Sequence, residues 1–155
     1  MKIRTSIFRV IIASAVLLSL GACMAAKEKP KQIALPTDAE LIGQLAGTVW
    51  VAEYIHGNPV VDASHTSMVF TTEGKVSGRG GCNNFTGSYI LKDGKISFPP
   101  MAVTMKKCAP ALSKQEYNFF QSLDKPQKVS FQNGMLSLTP NKGDPSVFGP
   151  YNTEQ

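Results

Sequence analysis

Three cysteines carry the most definite chemistry in this 155-residue chain: Cys23, Cys82 and Cys108. A cysteine can bridge, ligate a metal, act as a nucleophile or accept a lipid, and its spacing and neighbours select among these. Cys82 and Cys108 stand in no Cys-x-x-Cys pair, and His56 and His65 lie in a different segment, so a tetrahedral metal site lacks its ligands. In an oxidising compartment the two would close a loop of about 27 residues, a link of about 3 kcal/mol in the chain-entropy account. Lys106-Lys107 directly before Cys108 keeps a second reading open, a thiol activated by neighbouring cations. Cys82 sits in Arg79-Gly80-Gly81-Cys82-Asn83-Asn84, a loop by composition. Gly80-Gly81 suits backbone angles or close approaches closed to other residues, and Asn83 suits a left-handed turn. Arg79, Asn83 and Asn84 also make a candidate binding loop, the functional alternative to that structural role. It is no phosphate loop, because no Lys-Ser/Thr follows and no helix opens there. The two histidines lie nine residues apart near turns, and Ser64-His65 makes no triad. No catalytic constellation emerges, and the chain is read as a non-enzyme without cofactor or metal.

Cys23 belongs to different chemistry. Lys2, Arg4 and Arg9 precede an uncharged apolar run, residues 10–20. A basic start, a short apolar stretch and small residues are the parts of a secretory signal. The run falls below the roughly 18 residues of a bilayer-spanning helix. Leu20-Gly21-Ala22-Cys23 then resembles the lipobox of bacterial lipoproteins, which implies removal of residues 1–22 and lipidation at Cys23. Two or more acyl chains give a stable anchor where one does not. Met24, not Asp, follows the cysteine, which by the sorting pattern of two-membrane bacteria implies the periplasmic side of the outer membrane. Residues 23–40, with Lys27, Lys29, Lys31, Pro30 and Pro36, read as a lipidated start and an extended tether.

The net charge of +5 misleads until this segment is set aside. Of 16 Lys+Arg, three lie in the first nine residues; the other 13 face 11 Asp+Glu, a net of +2. That balance, with one adjacent basic pair in the body, excludes a nucleic-acid stripe. The 43% hydrophobic content supports one core, read as a single domain over residues 41–155. Residues 48–55, 67–71, 75–77 and 85–91 read as strands. Asp93-Gly94 and Asn133-Gly134 read as hairpin turns, with strands at 95–98, 129–131 and 135–139. Residues 147–148 read as a last edge strand, shortened by Gly149-Pro150. Ser113-x-x-Glu116 reads as a capping box opening a helix over 114–124, with Tyr117, Phe120 and Leu123 on its buried face. Trp50, Phe70, Phe98, Phe119, Phe120 and Phe131 read as core.

These residues now fall into a recognisable order. Gly47-Thr48-x-Trp50 opens the domain, Gly81-Cys82-Asn83-Asn84-x-x-Gly87-x-Tyr89 follows a hairpin, and Thr104-Met105-x-x-Cys108 precedes a helix bearing Glu116. The pattern resembles the META domain family, to which HslJ-like heat-shock lipoproteins belong, over roughly residues 43–148. The resemblance implies a small α+β fold: a curved antiparallel sheet, a half-barrel, packed against one helix. It implies an envelope or stress role and brings no catalytic residues. The expected function is a lipid-anchored, monomeric envelope protein that binds a protein or lipid-like partner. The alternatives are a calycin-like carrier of small apolar ligands, with a cavity lined by Trp50 and phenylalanines, and a lysozyme-inhibitor-like lipoprotein.

Overall fold

The computed structural model describes residues 35–62 and 64–151. The signal segment, Cys23 and most of the tether lie outside the described residues. Helix α1 (Asp38–Leu45) leads into strands β1 (Val49–Ile55), β2 (Asn58–Pro59), β3 (Ser67–Phe70), β4 (Lys75–Arg79) and β5 (Asn84–Ser88). Then come β6 (Ile90–Lys92), β7 (Lys95–Ser97), β8 (Ala102–Val103) and helix α2 (Pro110–Leu123). Strands β9 (Gln127–Gln132), β10 (Met135–Thr139) and β11 (Ser146–Pro150) complete the chain. The strands form one antiparallel sheet in the order β6-β7-β9-β10-β11-β1-β3-β4-β5-β8, with β2 on β1, curled into a half-barrel.

Strand β1 shows how the sequence sets that curl. Trp50 and Ala52 point inward two residues apart, but the next buried residue is Ile55, three further on. The change of parity coincides with a slip in pairing to β11 between Ala52 and Tyr54. A bulge that inserts one residue flips the following side chains to the other face and bends the strand. The turns follow the dipeptides: Asp93-Gly94 and Asn133-Gly134 have positive φ at both residues, as a two-residue hairpin requires, and so does His56-Gly57. Inside the curl, Phe70, Phe119, Phe148, Leu136, Leu138 and Ile96 are fully buried. The aromatic rings pack on one another: Trp50 on Phe131 at 5.6 Å, Phe70 on Tyr89 at 5.2 Å, Phe85 on Phe119 at 5.7 Å. Phe98, Phe120 and Phe131 are half-buried against that core.

Four expectations are corrected. Residues 38–40 belong to a helix, so the folded body begins before Leu41 and contains two helices. The Thr37 hydroxyl accepts from the Glu40 amide at 3.3 Å and the Glu40 carboxylate accepts from the Thr37 amide at 2.7 Å, the reciprocal cap that ends the tether. The second helix opens at Pro110, not after Ser113; proline is suited to a first position that needs no N–H partner. Its buried side chains are Gln115, Phe119, Ser122 and Leu123, spaced four, three and one, whereas Tyr117 is 63% exposed. Finally, β11 is no edge: it lies between β10 and β1, and Pro150 is accommodated at its last position, opposite Trp50.

Candidate functional site

The loop between β4 and β5 meets the second helix at a polar cluster. Glu116, freed from any cap, extends its carboxylate to the loop. Its Oε2 accepts the backbone N–H of Cys82 at 3.0 Å and of Asn83 at 2.5 Å, and its Oε1 accepts the Asn83 side-chain amide at 2.7 Å. Three donors on one carboxylate are charge-assisted bonds, stronger than neutral ones. Asn83 is buried and works in both directions. Its Oδ1 accepts the Thr104 hydroxyl at 3.0 Å and the Lys106 amide at 2.6 Å. One asparagine thereby joins the helix to the segment that follows β8.

The glycines make the approach feasible. A Cβ on Gly80 would stand 2.9 Å from Glu116 Cγ and from Phe120 Cε2, so only glycine lets the helix come this close. Gly81 has φ +125°, outside the ordinary range of L side chains. Cys82 is bridged to Cys108, with Cα atoms 6.1 Å apart. The bridge closes the reading of Cys108 as a free activated thiol. Gln115, beside Glu116, serves a second loop: its Oε1 accepts from the Val61 amide at 2.5 Å, and its Nε2 donates to Ser64 Oγ at 2.8 Å and Thr66 Oγ1 at 3.0 Å. Thr66 in turn donates to the Gly80 carbonyl at 3.1 Å.

Of the candidate binding loop, the three residues part company. Asn83 is buried within this cluster, while Arg79 and Asn84 are exposed and stand opposite each other across the β4–β5 pair. Thr104 extends that row: its N–H donates to the Asn84 carbonyl at 3.0 Å and its Oγ1 accepts the Asn84 amide at 3.1 Å. Beyond it Met105 is 99% exposed, and Lys106 and Lys107 are exposed. A depression of about 290 Å³, lined by Asn84, Phe85, Thr86, Ala102, Val103 and Thr104, opens beside it. A larger groove, about 560 Å³, lies at the other end of the sheet path between the start of α1 and β7–β9, lined by Leu41, Val129, Lys95 and Lys128 among others.

Sequence reasoning missed the roles of Glu116 and Gln115. The capping-box spacing pointed Glu116 to its own helix, and the only signal against it was Pro110, which competes for the helix start. A buried polar Gln115 at the spacing of an apolar stripe gives no signal until its partners are known. His65 is exposed and His56 sits half-buried in the β1–β2 turn. Among the described residues, no group of three or more His, Cys, Asp or Glu is placed to hold a metal ion. No helix among them is long and apolar enough to cross a membrane.

Comparison with known proteins agrees with the architecture. The META domain family model matches residues 43–152. A protein solved by NMR shares 25% identity with a TM-score of 0.59, over 74% of this chain and 95% of that one. Another NMR structure, of a protein from Burkholderia xenovorans, shares 24% identity with a TM-score of 0.59, over 81% of this chain and 98% of that one. No curated protein matches the chain.

Proposed function

The chain belongs to the META domain family, and on that footing we propose that it is a lipid-anchored envelope protein that works by binding and not by turnover. The observation that carries this reading is how the motif is spent. The groups capable of chemistry hold one another: Glu116 is taken by three donors, Asn83 by four bonds, and the two cysteines by each other. A general base needs a free lone pair aimed at substrate, and a thiol nucleophile needs a free sulfur. The bridge leaves no free sulfur, and Glu116 directs both carboxylate oxygens to the loop that it holds. What the cluster leaves outward is a basic and apolar rim, the stuff of contact surfaces.

Lipidation at Cys23 supplies the location, facing the periplasm from the outer membrane of a two-membrane cell. The carrier reading draws no support from the ring packing, since Trp50 lies on Phe131, Phe70 on Tyr89 and Phe85 on Phe119, and the hollow that Phe98 and Phe120 line is a depression of about 230 Å³ without Trp50. Intact-mass measurement of the membrane form under oxidising conditions tests the anchor and the bridge together. The expected mass corresponds to a chain starting at Cys23, carrying acyl groups and lacking two thiol hydrogens. A full-length unacylated product would refute the anchor. Crosslinking in native membranes tests the role. Recovery of a specific partner, protein or lipid, through the exposed rim supports it, and a clean absence contradicts it.

A further inference from the structure

Among the motif residues 81–116 one large side chain has no structural task. Gly81, Cys82, Asn83, Thr104, Cys108 and Glu116 all hold the cluster, yet Met105 between them is 99% exposed. Its segment is fixed at each side. Thr104 is bonded to Asn84, Lys106 N–H to Asn83, and Cys108 to Cys82. A fully exposed methionine is ordinarily a mobile surface residue; here the backbone that bears it is pinned, so ordering it on a partner costs little. Along the chain its neighbours are of one sign, and the acid that comes near β8 from elsewhere, Asp124, shares the depression beside Val103. No acidic residue occurs between Asp93 and Glu116, and Lys106, Lys107 and the exposed Arg79 flank the site while Glu116 is turned inward to its three donors.

We infer that the Thr104–Lys107 segment with Arg79 is a docking tip for an anionic lipid surface, Met105 entering the interface and the three cations meeting headgroup phosphates. The inference rests on the anchored reading above. A small apolar wedge ringed by cations matches the interfacial boundary, where an apolar group inserts a few ångströms and basic residues stay at headgroup level. A protein partner would need roughly 800 Å² of this side, and a tip of one methionine and three cations is small for that. The tether permits the posture. Eleven residues lie between Cys23 and Leu35, up to about 40 Å of extended chain, which matches the breadth of a domain whose radius of gyration is about 13 Å. Tethering supplies the effective concentration that makes so small a contact count.

The test uses the membrane-purified chain in vesicles of phosphatidylcholine alone or mixed with phosphatidylglycerol. Dilute peroxide converts exposed methionine to its sulfoxide, and peptide masses follow each site. On neutral vesicles Met105 oxidises fast. On anionic vesicles the expected rate is about fivefold lower, and it returns with added salt or with K106Q/K107Q. Half-buried Met135 serves as the reference and keeps one rate throughout. The variant's fold is checked by its intact Cys82–Cys108 bridge. Equal Met105 rates on both vesicles overturn the inference, and so does slowing that requires added envelope protein, which would make an acidic protein the occupant. Intact mass of the same sample separates the two readings. If Cys23 carries no lipid, the anchor fails alone, and the same pair of vesicles at higher lipid concentration still decides the tip.

Discussion

The two ends of the sheet are held by different means. At the end carrying β4, β5 and β8, a covalent bridge and a carboxylate with three donors clamp loops against α2. At the end carrying β6, β7 and β9, a short helix leans on a hairpin: the Asp38 carboxylate accepts from the Asp93 and Gly94 amides at 3.0 and 2.8 Å, and the rest is apolar contact. That second end even buries Gln127 with neither amide atom partnered. The contrast teaches that in this chain the cluster of Cys82, Asn83, Cys108 and Glu116 is a clamp. It keeps one loop cluster beside an exposed rim in a fixed shape, while the opposite end does with ordinary packing.

Removing Glu116 is the strongest way to break the contrast. Glu116→Ala leaves three donors without their acceptor, and at about 1–3 kcal/mol for each stranded buried group the expected loss is at least about 3 kcal/mol in denaturant unfolding. Glu116→Gln keeps the size but presents an NH₂ to the same donors, and a smaller loss is expected. Opening the bridge with Cys82→Ala and Cys108→Ala together is expected to lower stability by about 3 kcal/mol. These two removals share one cluster, so the combined variant should fall short of their sum. Asp38→Ala at the other end is expected to cost only about 1 kcal/mol, the size of a lost exposed hydrogen-bonded contact. Gln127→Leu is expected to go the other way, raising the unfolding midpoint by about 1 kcal/mol, because an unpartnered buried amide is replaced by an apolar side chain of similar size. A loss there instead would mean that the amide is satisfied in solution.

Tyr89 stands at the joint between β5 and β6, where one end passes to the other. It donates its hydroxyl to the Thr71 carbonyl at 2.8 Å. Burial, helped by the charge of Glu73, raises its phenol above the ordinary value of 10. The folded state then keeps a proton that the unfolded state loses. Its contribution is therefore whole below the unfolded pKa and is lost as pH rises through the raised folded value. Unfolding midpoints from pH 8 to 11.5 should show this alkaline decline, and Tyr89→Phe should flatten it.

Much of this was legible in the residues. The hairpin dipeptides Asp93-Gly94 and Asn133-Gly134 placed two turns because positive φ at both positions selects them. The Cys82–Cys108 pairing and the glycine roles at Gly80 and Gly81 followed from compartment and sterics. What was hidden depended on distant partners. The inward switch from Ala52 to Ile55 needs the bulge against β11, which no local pattern encodes. Strand β11 looked peripheral because Gly149-Pro150 weakens a strand locally, while tertiary pairing to β1 and β10 decided its place. Glu116 fitted a local cap so well that its long-range role, 33 and 34 residues from its acceptor-seeking amides, was masked. Thr37 and Glu40 form the same local signature at the start of α1 and went unread inside a segment rich in charge and proline.

The amides of Cys82 and Asn83 test the clamp most directly. In native-state hydrogen exchange they should belong to the slowest class, opening only with the global unfolding that frees the β1 and β10 amides, and Glu116→Gln should move them to fast exchange before the rest of the sheet. Exchange of the wild-type pair at the rate of an exposed loop would contradict the clamp.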